Sequence, residues 1–278
     1  MRHLLKAAAL GLLAALSAGC GANHFNVPKE TYQRKVRTLG VAPIMMDEES
    51  DITLPRREEL IRVVKGLNRR NEKSLVEGLQ ESGGYFAVRL LDADPDRLYG
   101  RLVSRRERRD DAGVVYNKYF FKPEEVRALL KENNVDAVML VFLSGITRRD
   151  REYASNMIRY LESDYNQLIL TAQIVDDSIT LWEYPNFRRK LVSLPPLVSL
   201  QYPDFCEADA NLEEGVQLKY KTVEGVKRAL ERKEKDLLLR EKTYSRDYTS
   251  VFGDMLSLLK AEAPAPQGKE AEKAPPAR

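Results

Sequence analysis

Residues Val135-Asp136-Ala137-Val138-Met139-Leu140-Val141-Phe142-Leu143, near the middle of the chain, are apolar apart from one aspartate. So continuous an apolar run reads as a strand covered on both faces, because a sheet with one wet face would alternate. A strand of that kind needs a layer of structure above it and another below. That constrains the chain to an α/β arrangement. Flanking segments fit it. Val36 to Ile44 is an apolar strand closed by Pro43. Pro55 opens a helical stretch running to about Ser82, with Leu60, Val63, Val64, Leu67, Leu75, Val76 and Leu79 at helical spacings. Gly83-Gly84 stops it, since glycine takes the left-handed conformation beyond a helix end. Tyr85 to Leu91 is the next strand, and Pro123 suits the first turn of a helix reaching about Asn133. Leu168 to Val175 and Ile179 to Tyr184 form two strands around Asp176-Asp177-Ser178, a hairpin signature. The expectation is an α/β domain over residues 36–185: a mixed sheet, flanking helices and a closing β-hairpin.

The remaining segments are less regular. Asp92 to Phe121 reads as a long polar insertion with a weak strand or aromatic patch at Val114 to Phe121. Beyond Pro185, Leu194-Pro195-Pro196-Leu197 cannot lie in a central strand. Leu212 to Arg240 is charged with helical spacing, and Tyr244, Tyr248, Val251, Phe252, Met255 and Leu259 mark one apolar face of a final helix. Residues 186–260 are therefore expected to be a loop and a charged C-terminal helical extension packing on the domain. Ala261 to Arg278, rich in Ala, Pro, Glu and Lys, reads as a disordered tail.

The first twenty residues follow a different logic. Arg2, His3 and Lys6 precede the apolar run Ala7 to Leu16, which ends in Ser17-Ala18-Gly19-Cys20. A basic start, a short apolar core and small residues at the end make a secretory signal over residues 1–19. The core is too short for the roughly 20 apolar residues of a membrane-spanning helix. Small residues before this cysteine resemble the lipobox of bacterial lipoproteins. The resemblance implies that Cys20 becomes the lipid-modified, palmitate-bearing first residue of the mature chain. Gly21 follows where an aspartate commonly signals inner-membrane retention, so the same sorting rule implies the outer membrane, with the domain facing the periplasm. Residues 20–35 read as an irregular tether, spanning roughly 20 Å as a coil and about 50 Å at full stretch.

Removing the signal takes Arg2 and Lys6 from the 45 basic residues, leaving 43 against 42 acidic ones, a net of +1. That balance argues against a nucleic-acid partner. With Cys20 lipidated, Cys206 is alone and reads as a free buried thiol, so no internal disulfide is expected. The two histidines are His3, in the signal, and His24, in the tether. On that reading the folded part holds no imidazole, which excludes Ser-His-Asp and Cys-His catalysis and histidine-ligated zinc there. Neither a catalytic residue, a metal site nor a cofactor is assigned. Gly40 and Gly83-Gly84 are isolated, so no phosphate-binding loop is present.

Three short stretches carry a family resemblance. Leu39-Gly40-Val41-Ala42-Pro43-Ile44, Asn134-Val135-Asp136-Ala137-Val138-Met139-Leu140-Val141 and Ile174-Val175-Asp176-Asp177-Ser178-Ile179-Thr180-Leu181-Trp182-Glu183 resemble the strands and closing hairpin of a group of envelope lipoprotein domains. That group is related to the curli-secretion lipoprotein and the amino-terminal domain of TolB. The match covers roughly Val36 to Tyr184 but lacks the group's hairpin glycine. Its motifs are strand ends and a turn, which speak to fold and hardly to function; with the Cys20 anchor and no catalytic motif, the expectation is a lipid-anchored, non-enzymatic scaffold or partner-binding component of the cell envelope, joined to the membrane through Cys20 and to an envelope protein. The alternative it implies is a subunit of an oligomeric outer-membrane secretion channel. Neither Asp92 to Phe121 nor Leu191 to Tyr202 reads cleanly as the alternating strands of about 9 to 11 residues that a channel needs. Asp176 and Asp177 face opposite ways if extended and read as turn formers. Arg105, Arg106, Arg108 and Arg109 form the densest charge run, echoed by Arg148-Arg149-Asp150-Arg151 and Arg188-Arg189-Lys190. These stretches read as solvated loops with internal ion pairs, or as a surface facing an anion or an acidic partner.

Overall fold

The computed structural model of the chain describes residues 24–111, 113–185, 194–211, 215–235 and 241–259. The signal, Cys20, Arg188-Arg189-Lys190 and the expected tail lie outside the described residues. Around the central apolar run the chain builds a seven-stranded mixed sheet. Its elements in order are α1 (Lys29–Lys35), β1 (Thr38–Val41), β2 (Met45–Asp47), α2 (Arg57–Glu81), β3 (Ala87–Leu90) and α3 (Pro95–Leu102). Next come β4 (Val103–Asp111), β5 (Val114–Phe121), α4 (Pro123–Asn133), β6 (Ala137–Tyr153), β7 (Tyr160–Val175) and β8 (Thr180–Tyr184). The described chain then forms β9 (Val198–Ser199), β10 (Gln201–Asp204), α5 (Phe205–Asn211), β11 (Gln217–Tyr220), α6 (Val223–Leu230), β12 (Lys233–Lys235), β13 (Glu241–Ser245) and α7 (Arg246–Leu259).

Strands run β3-β1-β6-β7-β8 across the sheet, with β2 beside β6 and β9 beside β7. The pairs β1/β3, β1/β6 and β2/β6 are parallel; β6/β7, β7/β8 and β7/β9 are antiparallel. As its sequence requires, β6 is buried without a break from Ala137 to Ile146. Alternation sends Ala137, Met139, Val141 and Leu143 to one face and Val138, Leu140 and Phe142 to the other, and the two sets belong to two separate apolar clusters. The first face is covered by α2 and α7. The second is covered by α3, α4 and the β4–β5 hairpin.

Local chemistry sets the helix ends. Asp94 accepts from the backbone N–H groups of Asp96 and Arg97 at 3.1 and 2.9 Å, and Pro95 opens α3. Pro123 opens α4, and Asn134, at φ 50°, closes it in the left-handed region. Gly83, at φ 68°, follows α2 as anticipated. The final helix docks through Tyr248, Val251, Phe252 and Met255, all buried. Its register is fixed by polar groups of α2: Tyr248 donates to Asn68 Oδ1 at 2.6 Å, and the Ser245 N–H donates to Asn71 Oδ1 at 2.8 Å.

Several expectations need correction. Residues 24–35 are not irregular: Phe25 and Tyr32 are buried against each other, and Lys29–Lys35 is helical. Asp92 to Phe121 is not an insertion but a helix followed by a hairpin, so the arginine run lies in β4 rather than a loop. Arg148-Arg149-Asp150-Arg151 extends β6, whose register with β7 continues to Tyr153↔Tyr160. Within 212–240 the described residues form two short strands and one helix of eight residues, not a long helix. The glycine-free turn after β7 needs no left-handed residue. Asp176 Oδ1 accepts from the N–H groups of Ser178 and Ile179 at 2.7 and 2.8 Å, and a register shift between Ile174 and Val175 absorbs the twist.

Gly145 on β6 marks a close approach of two backbones. A Cβ there would stand 2.6 Å from both the Asp51 carbonyl carbon and Ile52 Cγ1. Gly145→Ala should therefore lower the unfolding free energy by about 3 kcal/mol, read by urea denaturation.

Candidate functional site

Four places in the fold concentrate polar chemistry: the start of the described chain, the arginine strand, the far end of the β6–β7 hairpin, and a cleft on the second sheet face.

At its start the chain closes the sheet edge. Phe25 forms an antiparallel bridge with Trp182 on β8. The Asn26 N–H donates to the Leu181 carbonyl at 2.8 Å, and the Glu183 N–H donates to the His24 carbonyl at 3.1 Å. His24 is buried, and its Nδ1–H donates to the Glu183 carbonyl at 3.2 Å. Burial lowers the pKa of its imidazole, the hydrogen bond to Glu183 opposing it. The expectation that the folded part holds no imidazole is thus overturned, and with it the elimination of imidazole chemistry. Little in the sequence signals this, because Gly21, Ala22 and Asn23 precede His24 and only Phe25 hints at docking.

On β4 Arg106 turns inward, while Arg105, Arg108 and Arg109 pair with neighbouring groups nearer the surface. Arg106 Nη1 reaches both carboxylate oxygens of Asp47 at 2.8 Å, and Asp47 is fully buried at the end of β2. Tyr119 donates to Asp47 Oδ2 at 2.9 Å while its ring stacks on Phe142 at 4.0 Å. This cluster pins the hairpin to the sheet. Burial and the neighbouring Asp47 carboxylate push the Tyr119 phenol well above its ordinary pKa. Arg105 and Arg109 each pair with Glu107 at 2.7 Å, Arg105 also lies over the Phe120 ring, and Arg108 donates to the Thr147 carbonyl at 2.6 Å. All four arginines therefore have internal partners.

The β6–β7 hairpin exposes Tyr153, Met157, Ile158 and Tyr160 at its end, with the two tyrosine rings 5.5 Å apart. Just below them Arg149 and Arg151 share Glu162 at 2.8 and 2.7 Å. Cys206, expected to be buried, is exposed on α5. Among the described residues no group of three or more His, Cys, Asp or Glu side chains could hold a metal ion, and no helix is long and apolar enough to cross a membrane.

The cleft, of about 260 Å³, lies between β5, the start of α4 and the β7–β8 turn. Gln173 and Glu183 are cross-strand partners on its floor. Lys118 donates to Glu183 Oε2 at 2.8 Å, and Asn26 Nδ2 donates to Oε1 of the same carboxylate at 2.7 Å. At the turn Lys35 pairs with Asp176. Burial alone would raise the Asp176 pKa, but the Lys35 ammonium and the two turn N–H groups outweigh it and hold the carboxyl below its ordinary range. The sequence singled out the turn Asp176-Asp177-Ser178 and the helix start Pro123 but not Lys118 or Gln173, since the strands that meet there are far apart in the chain.

A scan against protein-family models and a search of curated proteins return no match.

Two outcomes test this electrostatic picture. Arg106→Ala leaves the Asp47 carboxylate buried without its cation and should cost about 3 kcal/mol in denaturant unfolding, whereas Arg105→Ala, exposed, should cost less than about 1 kcal/mol. Lys35→Ala should lower stability at neutral pH by under about 1 kcal/mol, because Lys35 is half-exposed. A depressed carboxyl pKa stabilises above the unfolded value of about 3.9 and loses that contribution as pH falls through the folded value. The difference between variant and parent should accordingly shrink as pH falls below the unfolded value of about 3.9 in acid titrations followed by circular dichroism.

Proposed function

We propose that the chain is a lipid-anchored, periplasm-facing envelope protein of the outer membrane, acting as a non-enzymatic scaffold that binds a partner close to the membrane surface. The single observation that carries this reading is where the fold begins. Edge pairing at His24–Asn26 starts the folded unit four residues after Cys20. At no more than about 3.5 Å per residue, the leash from a lipid on Cys20 to the sheet is about 14 Å. A tether running to Lys35 would have allowed about 50 Å. Residues 24–26 run antiparallel to β8, and β8 antiparallel to β7, so the chain comes in from the side of the β6–β7 hairpin end.

Anchoring acts by mass action. Confinement to a layer a few nanometres deep raises the effective concentration of any partner in the same membrane without a new contact. Among the described residues the hairpin end and the cleft are two surfaces open to such a partner.

Labelled palmitate fed to expressing cells should appear in the chain, which should sediment with outer membranes on a density gradient. Cys20→Ser should abolish the label and release the protein from the membrane fraction. An unlabelled wild-type chain in the soluble fraction would sink the reading.

A further inference from the structure

The second sheet face changes character from β6 to β7. Val138, Leu140 and Phe142 are paired across the strands with Val175, Gln173 and Thr171, so an apolar surface gives way to an amide and a hydroxyl. Both are deeply buried, Gln173 at 6% exposure and Thr171 at 4%. Among the described residues Thr171 Oγ1 has no hydrogen-bond partner, and the Gln173 side chain bonds to none of them. Gln173 faces the cleft of about 260 Å³. Thr171 faces an adjoining recess of about 10 Å³, room for about one water.

The other walls define the occupant. Phe120, Phe121, Val126 and Val175 are apolar, and Ile179, 49% exposed, stands at the rim. Lys118 and Glu183 neutralise each other, as do Lys35 and Asp176; Asp177, exposed on the turn, is the lining carboxylate with no cation among the described residues, which disfavours an anionic occupant. The amide of Gln173 offers a donor and an acceptor side by side. Its complement is a group that accepts and donates side by side, uncharged and joined to a small apolar arm. One extended residue bearing an aliphatic side chain has that pattern, because its own N–H and C=O point to the same side. Pockets for whole small molecules run to about 300–1,000 Å³, so this cleft suits one residue of a longer segment.

We propose that the cleft binds one apolar residue of an extended peptide segment of a partner protein, its backbone N–H and C=O on Gln173 and its side chain against Phe120, Val126 and Ile179. The inference rests on the partner-binding reading and names the chemistry recognised. Asn26 and Lys118 hold Glu183 from opposite sides, so the cleft floor is fixed by the same residues that hold the start of the chain.

The test uses the full-length chain in detergent, labelled with ¹⁵N-glutamine and titrated with N-acetyl-leucinamide, the Gln173 side-chain resonance being identified by its loss in Gln173→Leu. A saturable shift of that resonance with a dissociation constant of about 1 mM is expected for a ligand of this size. Affinity, followed on the ligand's own signals, should fall about fivefold in Gln173→Leu. It should fall about twofold in Ile179→Ala, whose exposed rim position leaves folding intact. N-acetylglucosamine, with an acetamide but a polar ring, should bind more weakly than the leucine probe. Absence of a saturable shift, unchanged affinity in both variants, or N-acetylglucosamine binding as well as the leucine probe would each overturn the proposal. These outcomes leave the anchoring reading standing, whereas failure of the Cys20 experiment leaves the titration unaffected.

Discussion

Burial of β6 on both faces is the constraint from which the rest of the structure follows. A strand with Ala137 to Ile146 continuously out of water requires two layers of cover, and the chain draws them from opposite ends of its sequence. The first layer is α2, with α7 returning from the carboxy terminus to lie against it. The second layer is assembled from α3, the β4–β5 hairpin and α4, which together are too short to reach across the whole sheet. Where the apolar cover ends, at the step from β6 to β7, the sheet face turns polar and the cleft opens. The cleft is thus a consequence of uneven cover.

Charge plays a positioning part within this frame. Hairpins carrying as many arginines as β4 are ordinarily solvated, and exposed ion pairs add little. Asp47 changes that balance because it is fully buried, so its partners cannot be exchanged for water. Arg106 and Tyr119 both converge on it, one from each strand of the hairpin, and the Tyr119 ring continues into a stack with Phe142 of β6. A buried ion pair is weak evidence of net stability but good evidence of a specified position, since only one placement of the hairpin satisfies the carboxylate.

How much of this was legible follows from the range over which each signal acts. Local signals were readable: the Pro123 start of α4, the Gly83 stop after α2, the apolar face of α7 and the doubly covered β6 all declare themselves within a few residues. The outer half of β6 was not legible, because Arg148 to Tyr153 alternates charge without an apolar side and is held by pairing with β7 alone. The arginine strand was hidden for the same reason: its strand character comes from β5 and its anchor from Asp47, 59 positions earlier. Cys206 was expected inside because free cysteines are usually buried, yet it lies on a seven-residue helix with no buried residue at all. His24 and the cleft were illegible because each depends on β8, about 150 residues further on.

That last dependence ties the two functional readings to one carboxylate. Glu183 is the cross-strand neighbour of Gln173, the partner of Lys118 on the hairpin, and the acceptor for Asn26 at the chain start. If the chain start is pulled from the β8 edge, Glu183 loses one of its two donors, and Lys118 alone must hold a carboxylate that is 8% exposed. The cleft floor then loses its alignment against Gln173, because an acceptor with one donor removed is free to rotate about its side-chain torsions. Tension on a leash of about 14 Å would act first at this edge, since its few hydrogen bonds are short-range and lie at the sheet boundary. On the proposed reading, a lipid on Cys20 would therefore set both where the domain stands and how well the wall of its cleft is held.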